Sequence, residues 1–205
     1  MPRHSFRFPY HIREAVKRYV INAVESVDPR RFNQEAAYVA ALAQALDGTA
    51  YRGTDASIVF RSTVYDDRGR NSAERRFGAD FAIVARIASP DDFIEKVILV
   101  QAKRGEIEDL SRSQLDELKT QIRRMRQLVM APKVMEIPES SGIRTPRMIS
   151  GNQIHDDNAY RPMSLANYIV ARVLTTLDGD TRPDFVASVE DSTLAKVVTI
   201  AKLLD

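Results

Sequence analysis

Apolar residues recur at helical spacing in some stretches of this chain and at strand spacing, or in short unbroken runs, in others. Residues 12–27 read as an amphipathic helix stopped by Asp28-Pro29. Residues 33–46 read as an alanine-rich helix with Asn33 as N-cap, Asp47-Gly48 as its stop and an apolar stripe through Tyr38, Val39, Leu42 and Leu46. Residues 111–130 place Leu115, Leu118, Ile122, Met125 and Val129 on one helical face. Between these, residues 58–64 are β-branched and aromatic, and 66–71 are turn formers. Apolar runs at 78–84 and 97–103 flank a turn-rich stretch at 88–92. This order predicts a hairpin folded about 88–92 and, with 58–64, a sheet that begins with three consecutive antiparallel strands. Beyond residue 131, prolines and glycines divide the chain into short strands at 133–137 and 147–150, a long loop at 151–162 and a helix at 165–177. A last helix is predicted over 192–204, with Leu194, Val197, Val198, Ala201 and Leu204 as its stripe.

Composition narrows the class. A chain of 205 residues with 44% hydrophobic content can bury one sizeable core, and no linker divides it. The expected organisation is a single domain: an N-terminal helical extension (1–31), a core (33–130) and a loop-rich, helical remainder (131–205). The absence of cysteine excludes disulfides, thiolate catalysis and cysteine-rich zinc sites. No apolar run is long enough to cross a bilayer and the first residues lack a secretion signal, so no membrane partner is expected and the expected location is cytoplasmic. The phosphate loop of ATPases, the serine elbow of hydrolases and the paired-histidine zinc helix are all missing.

The chemistry concentrates in the hairpin. Gln101 and Lys103 close the run Val97-Ile98-Leu99-Val100 and share a face, since strand side chains alternate, while Ala102 points the other way. Folding about 88–92 brings Asp80, at the head of the preceding strand, beside them. A carboxylate, an amide oxygen and an ammonium at one place suit a hard divalent cation such as Mg²⁺ or Mn²⁺ together with an anionic oxygen substrate. Taken alone, the Gln-x-Lys triplet fits equally a lysine snorkelling from a strand end and a glutamine bonded to backbone. The buried strand before it and the matched acid at Asp80 bring the site reading level with those two.

Asp80, a spacer and then Gln101-x-Lys103 behind an aliphatic strand resemble the PD-(D/E)xK nuclease superfamily, in the Mrr-like restriction endonuclease variant where glutamine replaces the second acid. Two departures stand out: Ala79 occupies the place of the proline, and neutral Gln101 removes a charge from the metal site. The resemblance, covering roughly residues 33–130, implies an α/β fold with a restriction-endonuclease-like core, a mixed central sheet flanked by helices. It also implies a Mg²⁺- or Mn²⁺-dependent endonuclease acting on DNA, serving restriction or anti-phage defence. Asp80, Gln101 and Glu35 are the implied metal ligands, Glu35 being the acid of the first core helix. Lys103 would serve the attacking water, and Gln121, on the helix after the lysine strand, would face the site. Helical spacing sets Glu35 on the apolar stripe, although a first-turn acid is equally explained by the helix dipole. Glu74 is a reserve acid. In a continuous strand it lies roughly 20 Å from Asp80, unless Gly78 kinks the chain.

Lys119, Arg123, Arg124, Arg126 and Lys133 fall in a stretch without acids and give a positive surface for phosphates, or simply a solvated face. His155 in the 151–162 loop is a candidate base or a solvated histidine. Asp178-Gly179-Asp180 lacks the later ligands of a calcium loop and reads as a turn. With no spare domain to read a target, specificity would come from a homodimer, a partner protein or DNA structure. A Holliday-junction resolvase is a neighbouring enzymatic alternative. From a different class, neutral Gln101 allows a nuclease-like fold kept as a nucleic-acid-binding or assembly module.

Overall fold

The computed structural model describes residues 6–64, 73–138, 145–175 and 177–204. Helix α1 (Tyr10–Ser26) buries Ile12, Val16, Val20 and Val24 at four-residue intervals, and α2 (Glu35–Leu46) buries Tyr38, Val39, Leu42 and Leu46. The N-cap of α2 is Gln34, with no side-chain bond, rather than Asn33. Strands β1 (Gly48–Arg52) and β2 (Ala56–Thr63) form a hairpin, and after the short helix α3 (Ala73–Phe77) strands β3 (Phe81–Ala88) and β4 (Phe93–Arg104) form the expected second one. The turn predicted over 66–71 lies outside the described residues, apart from which α3 replaces strand around Glu74.

Helix α4 (Arg112–Leu128) opens with a reciprocal capping box between Ser111 and Gln114. Its Leu118, Ile122 and Met125 are fully buried, each contributing about 1.5–3 kcal/mol of apolar burial. Then follow β5 (Lys133–Ile137), β6 (Arg147–Ser150), α5 (Gly151–His155) and β7 (Met163–Ser164). Helix α6 (Leu165–Tyr168) runs into a π-helical turn, Ile169–Val173, and α7 (Pro183–Glu190) starts with proline at its first position. Thus α5 occupies the start of the predicted 151–162 loop.

Residues 195–203, predicted as helix, are strand β8 (Ala195–Leu203). β8 runs antiparallel to β2 and parallel to β3, giving a mixed eight-stranded sheet in the order β1-β2-β8-β3-β4-β5-β6-β7. The three predicted consecutive antiparallel strands are therefore interrupted: β8 stands between β2 and β3. Its misreading has a physical cause. Val197 and Ala201 pack into the core on one face while half-buried Val198 packs against the core on the other, so apolar residues stand at consecutive positions and the apolar–polar alternation that marks a half-exposed strand is blurred in the sequence.

Helices cover the sheet from both sides. α1, α2 and α6 pack with Ile98, Val100 and Ala102 on one face. Residues of α3, α4 and α7 pack with Val97 and Leu99 on the other. No helix among the described residues is long and apolar enough to cross a membrane.

Candidate functional site

The β3–β4 register brings Asp80 to Gln101. Phe81 pairs with Val100, and the Asp80 amide donates to the Val100 carbonyl at 3.0 Å. One residue further on, the side chain takes over from the backbone: Asp80 Oδ2 accepts from the Ala102 amide at 2.7 Å and from Gln101 Nε2 at 2.5 Å. A carboxylate beside the amide fixes which end of Gln101 faces it, because an oxygen there would be repelled. Gln101 is 2% exposed.

Glu35 reaches the same place from the other layer. It is half-buried at the first position of α2 and faces the end of β4 instead of the core predicted for it. Its Oε1 accepts from the Arg104 amide at 3.1 Å, and its Oε2 stands 3.4 Å from Lys103 Nζ. Two contact pairs, Asp80–Gln101 and Glu35–Lys103, thus stand at the same end of β4, and the charges of Glu35 and Lys103 are felt at Asp80.

The electrostatics are strained in one direction. Loss of solvent pushes the Asp80 carboxyl up to about 7, Glu35 and Glu74 push the same way, and the Ala102 amide and Lys103 oppose them. Glu74 acts at this range because α3 and Gly78 (φ +69°) turn the chain back, so the extended separation of roughly 20 Å does not apply. Gly78 also lets α4 approach: a Cβ there would lie 2.8 Å from the Gln121 carbonyl oxygen and 2.9 Å from Arg124 Cβ. Gln121 is therefore packed on the segment leading into Asp80. Its Oε1 is buried and has no hydrogen-bond partner among the described residues.

A groove of about 510 Å³ opens beside this group. Glu35, Lys103 and Arg104 line it, with Glu106, Glu136 and Arg147 further along. Asp80 and Gln101 are not among its walls. Glu136 and Arg147 went unassigned in the sequence, although a charged residue inside the short apolar strand Lys133–Ile137 was a signal that something holds it there.

The donor set fits a hard cation. Two carboxylates and an amide oxygen are the ligands Mg²⁺ and Mn²⁺ accept, and a carboxylate forced upward by burial and, to a smaller extent, by neighbouring acids is relieved by a dication. Among the described residues no three acids or histidines stand close enough to hold an ion unaided. The set therefore suits a cation that keeps waters and takes substrate oxygens, as Mg²⁺ does.

The remaining candidates disperse. Lys133 belongs to the interior, not to a phosphate surface: it is buried and paired with Asp178 at 3.0 Å. Lys119 and Arg126 are held by Asp157 at 2.5 Å and Asp156 at 2.7 Å, while Arg123 and Arg124 are exposed. His155 ends α5, with its Nδ1 2.8 Å from Asp156 and 2.6 Å from Arg126. Asp178 and Asp180 face Lys133 and Arg182 across a turn. Comparison with family models, with curated proteins and with solved structures gives no match.

Proposed function

We propose that the chain is a divalent-metal-dependent phosphodiesterase cutting nucleic acid, built on a restriction-endonuclease-like core, with DNA the favoured substrate and restriction or anti-phage defence the favoured role. The observation that carries this reading is the placement of two contact pairs, Asp80–Gln101 and Lys103–Glu35, at one end of the β3–β4 hairpin. Asp80, Glu35 and the Gln101 amide oxygen would hold Mg²⁺ or Mn²⁺. When bound, the ion supplies Lewis-acid polarisation of a phosphoryl oxygen and acidifies a water. The protein's own part is positioning. The Ala102 amide and Gln101 Nε2 fix the Asp80 carboxylate, and Glu35 holds the Lys103 ammonium at the groove. There Lys103 orients the water and offsets charge gathering on the phosphate.

The test is incubation of the purified protein with plasmid, single-stranded DNA and RNA in Mn²⁺, Mg²⁺ or EDTA, beside Asp80→Ala and Lys103→Ala. Cleavage that needs the metal and falls at least about a hundredfold in each variant supports the reading. Cleavage persisting in both variants removes the site assignment.

A second reading keeps the fold as a nucleic-acid-binding or assembly module without hydrolysis. It is favoured by the position of Gln101, neutral, 2% exposed and absent from the groove walls. Salt-dependent binding of DNA without cleavage under any metal supports this alternative.

A further inference from the structure

Besides Lys103 and Arg104, the groove is lined by Arg147, a cation on the sheet that the proposed reaction leaves without a task. Lys103, Glu136 and Arg147 form one row across β4, β5 and β6, because Lys103 pairs in register with Glu136 and Glu136 with Arg147. Two strand spacings of about 4.8 Å set the Lys103 and Arg147 backbones roughly 10 Å apart. Both side chains line the groove.

Arg147 is held by a buried acid. The Glu136 side chain is 4% exposed and both its oxygens are engaged: Oε1 accepts from the Ile107 amide at 2.8 Å and Oε2 from Arg147 Nε at 2.7 Å. Arg147 Nη2 meets Glu136 again at 2.7 Å and Glu106 at 3.2 Å. No described residue takes Nη1. One edge of the guanidinium is therefore fixed by Glu136 and Glu106, and the side chain lines the groove. A planar donor oriented before the ligand arrives loses little freedom on binding, and its geometry matches a phosphate.

We propose that Arg147 binds the phosphate next to the one attacked, so that a single nucleic-acid strand lies along the floor with successive phosphates on Lys103 and Arg147. Glu136 is the positioning residue for Arg147. The inference rests on the phosphodiesterase reading and extends it to the substrate, a single strand whose path follows this row of side chains along a groove of about 510 Å³.

The experiment uses the full chain and a short labelled oligothymidylate, single-stranded or annealed to its complement. Cleavage in Mn²⁺ gives KM and kcat, and anisotropy in a Lys103→Ala background gives the salt dependence of binding. Arg147→Ala should raise KM about tenfold or more with a much smaller loss of kcat, and should lower the slope of log affinity against log salt by about 0.7. Arg147→Lys should recover part of the affinity, and Glu136→Gln should give an intermediate KM. Because Arg147→Ala leaves a buried acid unpaired, the double variant Glu136→Gln/Arg147→Ala is measured beside it, and decides if the single variant fails to unfold cooperatively. Unchanged KM and salt slope in an active protein overturn the role of Arg147 and leave the phosphodiesterase reading standing. A duplex cut as readily as the single strand overturns the single-strand path. A wild-type protein that neither binds nor cuts any of these substrates removes both.

Discussion

Lys96 tests how closed the sheet is at the end remote from the groove. The residue is 1% exposed, and its Nζ donates to the Arg172 and Thr175 carbonyls beyond the π-helical turn. Asp178, itself bonded to Lys133, faces it, and Gly179 lies against its stem, where a Cβ would come within 2.9 Å of Lys96 Cδ. Burial pushes this ammonium down from 10.5 to about 7, with Asp178 opposing. In the unfolded chain the lysine keeps its ordinary value. Between about pH 7 and 10.5 the unfolded state therefore binds one proton more than the native state, and stability rises with pH across that window. Below the window Lys96 is charged in both states, and its full desolvation cost is carried by the fold. The gap between the two values, at about 1.4 kcal/mol for each tenfold change, comes to on the order of 5 kcal/mol. Lys96→Met keeps the stem and deletes the charge. It also leaves two carbonyls short of a donor, at a pH-independent cost of about 1–3 kcal/mol each. The stability of wild type relative to the variant should therefore climb by about 3 kcal/mol from roughly pH 7 to 9.5. Urea unfolding followed by circular dichroism at fixed ionic strength, with matched m values, measures it. Parallel curves for the two proteins would refute the reasoning, since Lys96 would then titrate as it does in water.

Gly78→Ala should cost more than about 2 kcal/mol, because the methyl meets the Gln121 carbonyl and the backbone prefers glycine at positive φ; a loss below about 0.5 kcal/mol in urea unfolding contradicts the close approach of α4. A chain ending at Thr193 should show no cooperative thermal transition, since it lacks the strand between β2 and β3; a sharp transition would mean that β8 is peripheral. Gln121→Leu removes a buried acceptor that lacks a partner, so stability should hold within about 0.5 kcal/mol while cleavage slows; equal turnover would mean that Gln121 does not serve the site.

The β3–β4 hairpin was legible because its signals are local: two apolar runs, a turn whose Ser89 and Asp92 bond each other, and a period of two that sorts Gln101 and Lys103 from Ala102. Asp80 could be placed by counting from the turn. The approach of Glu35 to Lys103 was partly legible, since a first-turn acid was visible, but its direction depends on where α2 crosses the end of β4, which spacing does not encode. β8 was lost for a related reason. Its register with β3 is a parallel pairing between segments more than a hundred residues apart, and the consecutive apolar residues Val197 and Val198 imitate a helical stripe. Glu74 was left between a continuous strand and a chain kinked at Gly78, because the glycine-led reversal there involves packing against α4, which the local sequence does not encode. The row Lys103–Glu136–Arg147 emerges only once β4, β5 and β6 are in register.

If the carboxylates around Gln101 hold a divalent cation, calorimetric titration of Mn²⁺ into the metal-free protein should show a saturable site in wild type that survives in Lys103→Ala and is lost in Asp80→Ala. Equal Mn²⁺ affinity in wild type and a folded Asp80→Ala variant would contradict this assignment.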